Sequence, residues 1–264
     1  MCPLHVTYYT DPACPWSWAA EPALRRLQVE FGAQAQITYV MGGMAREFGR
    51  PLETLRHVLD AAAASAMPVD PRLWLDAPPR SSYPSCQGVK AAAEQALDGP
   101  YLRVVREGLM AGGRAMDTAD ALVAAARDVA GLDVARFEID LRSHAIVEAF
   151  GADLERARAA ARDGEPRVPL PSFAVRGEDG EERWAYDETD PAALRALALA
   201  AGGTPGPLPG AEETVRRFGR LATAEVAAAC DLPGPRAPAE LWRLATEFRV
   251  RAEPVLTGHF WAPA

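Results

Sequence analysis

The tetrapeptide Cys14-Pro15-Trp16-Ser17 holds the residues best suited to covalent chemistry in this 264-residue chain. A thiolate is the reactive form of cysteine, and the unpaired backbone N–H groups and dipole of a helix N-terminus stabilise it. A helix opening at Pro15 places Cys14 in that field, and proline at the first helical position removes no hydrogen bond. Ser17, one turn on, carries a hydroxyl that can donate to the sulfur. Trp16 and Trp18 are expected to flank the thiol with apolar surface. This pattern predicts an exposed thiol with a lowered pKa; a buried cysteine in a strand-to-helix turn is the competing reading. Cys86, in Ser81-Ser82-Tyr83-Pro84-Ser85-Cys86, also stands where a turn enters a helix, and an inert packed cysteine is the alternative there. Cys2 and Cys230 read as structural or incidental.

Other chemistries find little support. The four cysteines form no Cys-x-x-Cys pair and no Cys/His cluster at metal-ligand spacing, so no metal site is expected. His5, His57, His144 and His259 form no recognisable triad with Cys14. A formal net charge of -8 disfavours a nucleic-acid surface. The alanine runs are interrupted by charges and fall short of a membrane span. No basic segment followed by an apolar stretch opens the chain, so a cytoplasmic location is expected. Lys90 is the sole lysine among 28 basic residues, a composition typical of GC-rich genomes and uninformative about function.

Around the motif, Leu4 to Tyr9 reads as a buried strand ended by Thr10-Asp11-Pro12-Ala13. From Pro15, apolar residues Trp18, Pro22, Leu24, Leu27 and Phe31 recur at helical spacing up to Gly32. Gln36 to Met41 is a second strand closed by Gly42-Gly43, giving a β-α-β unit whose parallel strands need a right-handed crossover. Residues 45–164 are helical in pattern, with no clear strand signal. Strand character returns at Leu170-Pro171-Ser172-Phe173-Ala174-Val175, a hairpin follows through Arg183-Trp184-Ala185-Tyr186, and Asp190-Pro191 opens a helix to Leu199. Beyond the Gly/Pro-rich stretch Gly202 to Gly210 come two helical patterns, Glu212 to Cys230 and Pro238 to Phe248, and a possible terminal hairpin. A winged helix-turn-helix is weakened there by arginines balanced against acids; packing on the core or a protein-interaction surface is the favoured reading.

The segment Asp11-Pro12-Ala13-Cys14-Pro15-Trp16-Ser17-Trp18, the split β-α-β/β-β-α frame and the Pro171 segment together resemble the DsbA-like thioredoxin superfamily. Its nearest branches by this resemblance are the FrnE-like dithiol-disulfide isomerases and the YjbH-type adaptors that deliver a transcription regulator to a protease. The resemblance covers about Leu4 to Leu199. It implies an α/β thioredoxin fold with a large helical insertion between the two halves, plus a small, mostly helical C-terminal extension. The expected divisions are 1–44 and 166–201 for the thioredoxin halves, 45–165 for the insert, 202–210 for a linker and 211–264 for the extension.

By the same resemblance, Pro171 matches the cis-proline facing the active-site cysteine, with the Leu170 peptide group beside Cys14, where it can pair with an extended substrate. An ordinary trans proline at a strand start is the alternative, and Pro169 competes for the position. The insert would overhang the site, so Cys86 is a candidate lining residue and resolving thiol. Catalytic roles fall to Cys14, Ser17 and Pro171, and substrate-binding roles to Pro15, Trp16, Trp18, Leu170 and Cys86. Ser17 stands where family oxidoreductases carry their second cysteine, so a dithiol cycle within the motif is impossible and a mixed disulfide at Cys14 needs another thiol for release. The leading expectation is a monothiol oxidoreductase acting on a protein or small thiol. No tightly bound cofactor is expected, and glutathione or another low-molecular-weight thiol is the candidate co-substrate. The alternatives are a non-catalytic adaptor, or an enzyme like the kappa-class glutathione transferases and 2-hydroxychromene-2-carboxylate isomerases, which carry serine at both motif ends.

Overall fold

The computed structural model describes residues 3–264; Cys2, read above as structural or incidental, lies outside them. Strand β1 (Leu4–Thr10) leads into the motif turn, then α1 (Pro15–Ala19) and α2 (Glu21–Phe31). The single helix expected from Pro15 to Gly32 breaks at Ala20, because Pro22 has no N–H to continue the ladder from the preceding turn. β2 (Ala35–Met41) then runs parallel to β1, Leu4 opposite Ala35 and Thr10 opposite Met41.

Seven helices follow among the described residues: α3 (Pro51–Ser65), α4 (Arg72–Asp76), α5 (Tyr83–Ala93), α6 (Asp98–Met110), α7 (Ala119–Ala126), α8 (Val134–Leu141) and α9 (His144–Ala159). The chain then returns to the sheet with β3 (Ser172–Arg176), β4 (Glu182–Tyr186) and α10 (Pro191–Ala200), the last capped by Asp190, which accepts from Ala192 N at 2.9 Å. The sheet order is β2-β1-β3-β4, with β3 antiparallel to both neighbours. On one face Val6, Tyr8 and Phe173 pack with Leu24 and Leu27 of α2 and Leu194 of α10. On the other, Tyr9, Val40 and Ala174 meet Ala157 of α9. Period-two alternation along β1 thus feeds two layers at once, and the C-terminal ends of the parallel strands β1 and β2 bring the motif turn and the start of the insert to the same end of the sheet.

The last stretch holds α11 (Ala211–Phe218), β5 (Leu221–Ala222), α12 (Thr223–Ala229), α13 (Arg236–Thr246), β6 (Val250–Val255) and β7 (Gly258–Pro263). The first of the two expected helices is divided at Gly219, whose φ of +76° is a conformation glycine adopts freely and one that ends a helix. The possible hairpin is present as β6-β7, extended by β5 into a three-stranded sheet of order β5-β7-β6. This part is seated on the rest: Phe260 and Ala222 share a buried cluster with Trp18 and Met41. Among the described residues no helix is long and apolar enough to cross a membrane.

Candidate functional site

Cys14 occupies the N-cap of α1, and its Sγ accepts from Ser17 N at 3.4 Å. The Leu170–Pro171 peptide bond is cis, and the Leu170 carbonyl oxygen lies 3.6 Å from the Cys14 sulfur, 156 positions away in sequence. The structure therefore brings Cys14, Ser17, Leu170 and Pro171 together. Cys14 is 3 % exposed, which corrects the expectation of an open thiol. Its pKa is raised, not lowered: burial pushes it up, while the Ser17 hydroxyl and N–H pull it down and lose. The Ser17 hydroxyl makes no hydrogen bond of good geometry, yet it lies close enough to the sulfur to contribute that pull. α1 has only five residues, so few aligned peptide dipoles oppose desolvation. A carbonyl facing the sulfur also suits a thiol, which donates to it, and disfavours a thiolate, which it repels.

Beneath the turn lies Asp11, fully buried. Its carboxylate accepts from Ala13 N at 2.8 Å, Met44 N at 2.6 Å, the Ser82 hydroxyl at 2.8 Å and the Cys86 thiol at 3.3 Å. One side chain thus ties the motif turn, the loop after β2 and the start of α5 together. Burial raises its pKa against the pull of these four donors. Cys86 is fully buried against this carboxylate, and burial together with the Asp11 charge holds its thiol well above the ordinary range. It is a free cysteine outside the Cys14 groove, as a packed residue would be.

The groove at Cys14 encloses about 530 Å³. Pro15, Trp16 and Leu170 line it, joined by Phe48, His57 and Arg167. Trp18 does not: its indole N–H donates to Pro68 O at 3.0 Å and its ring meets Phe260 edge-on, because its helical spacing points it into the core. Arg167 donates through Nη1 to the carbonyls of Gly42 and Gly43 and has no carboxylate partner among the described residues. His57 shares the groove, but the sulfur's hydrogen-bond partners are Ser17 and Leu170, so no Cys/His pair forms. Sequence reading missed Asp11, Phe48 and Arg167. For Asp11 a signal was present, an acidic residue inside the motif segment; the other two carry none, since only the fold brings their loops to the thiol. Among the described residues no group of three or more His, Cys, Asp or Glu is placed to hold a metal ion.

Comparison with known proteins places these features in a family context. The sequence pattern of the family described as thioredoxin matches residues 8–167. Two proteins named ClpXP adapter protein SpxH match nearly end to end. That of Shouchella clausii is 30% identical over 281 residues, covering 98% of this chain and 88% of its own. That of Halalkalibacterium halodurans is 28% identical over 274 residues, with the same coverage. Among solved structures, the cytosolic disulfide reductase DsbM of Pseudomonas aeruginosa superposes with a TM-score of 0.61 at 20% identity, over 74% of this chain and 97% of that one. The same protein with GSH gives 0.58 at 21% identity, over 74% and 98%.

Proposed function

The chain belongs to the thioredoxin family, and from that premise we propose that it is an adaptor, which binds a client protein at the Cys14 groove and presents it to a ClpXP-type protease. The observation that carries this reading is the state of Cys14: buried, held in its thiol form, hydrogen-bonded to Leu170 O, with Ser17 in place of a second motif cysteine. Such a thiol is a poor nucleophile at neutral pH. The groove around it keeps what recognition needs: the apolar walls of Trp16 and Phe48, the Arg167 guanidinium, which has no carboxylate partner among the described residues, and the backbone of Leu170. Similarity to the two SpxH proteins over 98% of the chain, C-terminal part included, supports the same reading.

The mixed-disulfide oxidoreductase expected from the motif stands second, favoured by the groove opening beside the sulfur. In that cycle the Cys14 thiolate attacks a small disulfide, forming a mixed disulfide and releasing one thiolate. A second small thiol then attacks and leaves as the product disulfide, restoring Cys14. The two readings separate in one experiment. Protein half-lives are compared across the proteome in cells with and without the chain, with and without ClpX, and with Cys14→Ser in place of the native residue. The adaptor reading expects proteins whose half-life lengthens on loss of either component and is restored by Cys14→Ser. Restoration by the native chain alone favours the thiol cycle. If no half-life depends on both the chain and ClpX, the adaptor reading is wrong.

A further inference from the structure

Besides Cys14, the groove beside the motif is lined by five ionisable side chains, Glu47, Arg50, Glu53, His57 and Arg167. Arg50 and Glu53 pair with each other at 3.4 Å, and Glu47 makes no ion pair among the described residues. Arg167 differs from the others in how firmly it is held. Its Nη1 donates to the carbonyl of Gly42 at 3.5 Å and to that of Gly43 at 3.1 Å. Its backbone neighbour Val168 is buried with Tyr9 and Val40 and donates its N–H to Ala157 O at 2.8 Å. Both ends of the arginine are therefore fixed.

The Gly42-Gly43 pair thus does more than close β2. A Cβ at Gly42 would fall 2.8 Å from Leu170 Cδ1, so glycine lets the Leu170 side chain close against this turn while the turn's carbonyls hold Arg167. Neutral carbonyls occupy a nitrogen without cancelling the charge. The Nε and Nη2 of Arg167 find no acceptor among the described residues, yet neither is sealed from solvent. They are adjacent donors in one plane, the pair that a carboxylate matches with its two oxygens.

We propose that Arg167 is a specificity-determining residue of the Cys14 groove, selecting client segments that carry an aspartate or glutamate; this rests on the reading of the groove as the client site. The segment lies extended, its main chain beside Leu170 and its apolar residues against Trp16 and Phe48. A chain paired with that backbone runs on past it and turns alternate side chains to the groove, so the carboxylate that meets Arg167 is a side chain and not a chain terminus. Apolar walls reduce solvent screening of the contact relative to an open surface. A lysine or arginine at the same client position meets a like charge that cannot swing away, which turns such segments aside.

The test uses the full chain as bait for two libraries of random peptides, one displayed between flanking glycine-serine segments and one ending in a free C-terminus. Selection is repeated against Trp16→Ala, whose groove has lost an apolar wall, and peptides absent from that second selection are groove binders. Among them, an aspartate or glutamate is expected at one fixed position in the flanked library. A synthetic peptide from this set, and its counterpart with the acid replaced by the amide, are then titrated by fluorescence anisotropy. Loss of the acid is expected to weaken binding to the native chain about tenfold, the scale of one charge-assisted contact. Arg167→Gln is expected to weaken the acidic peptide by the same factor and leave the amide peptide unchanged, and Arg167→Lys to recover part of the loss. The proposal is overturned if groove binders show no acidic preference, if the preference survives Arg167→Gln, or if it appears only with a free C-terminus. It is overturned equally if Arg167→Gln weakens both peptides alike, since the residue then only supports the shape of the groove. If no selected peptide depends on Trp16, the client-binding reading of the groove itself fails, and this proposal with it.

Discussion

At Cys14 a short helix and a buried environment act in opposite directions. The Ser17 N–H at 3.4 Å favours a thiolate, yet Cys14 is 3 % exposed and desolvation outweighs that contact. The consequence can be read by alkylation. Its rate at Cys14 is expected to rise with pH to a midpoint above about 8.5, the ordinary cysteine value, and Ser17→Ala should move the midpoint further up by removing the hydroxyl's pull. A midpoint near neutrality would contradict the burial argument. The sign carries over to stability. A thiol whose pKa is raised in the folded state contributes stability below its unfolded value, and loses it as pH rises through the folded one. Presence of a reactive-type motif was therefore legible in the sequence, but its protonation state was not. The covering groups, Leu170 and the loop carrying Phe48, arrive from elsewhere in the chain.

Elements were easier to read than contacts. Alternation and helical spacing placed β1, β2, the β3-β4 hairpin and α10 within a few residues of their positions, because half-buried strands and helices print their period on the sequence. Trp18 shows the limit: its spacing marks an apolar face, but only the fold reveals that this face meets Pro68 and Phe260 instead of the groove. Close approach between elements is equally invisible in one dimension. Gly177, just beyond β3, lies against the C-terminal end of α10, and a Cβ there would sit 1.8 Å from the Ala201 carbonyl oxygen. A backbone carbonyl cannot rotate away as a flexible side chain can. Gly177→Ala is therefore expected to destabilise the fold by about 1–3 kcal/mol, the range for overpacking, seen as a lower urea midpoint with an unchanged slope. Because β3 begins directly after the cis-proline, the same variant is expected to alkylate faster at Cys14. An unshifted midpoint would show that the turn yields without strain.

Across the whole molecule, the Gly/Pro-rich stretch at 202–210 suggests a tether, but the packing beyond it describes an anchor. Glu225 of α12 is fully buried and receives Arg25 of α2 at 3.2 Å and Arg103 of α6 at 2.8 Å, so it joins three parts of the chain. Arg103 lies 4.8 Å from the Trp18 ring centroid, and Arg220 stands 3.9 Å from that of Phe260. The Thr257 hydroxyl at the hairpin tip accepts from Val69 N at 2.8 Å, in the insert. Breaking such a network exposes buried arginines without partners, which costs far more than the pairs contribute when intact. Opening the C-terminal part must therefore disrupt the helix that carries Trp18 and, one turn earlier, Cys14. Calorimetry of the full chain is expected to show one cooperative transition, and removal of residues 211–264 to lower the Tm of what remains and to speed alkylation of Cys14. Two transitions, with the truncated chain keeping the upper one and its slow alkylation, would instead describe an independent module hung on a linker.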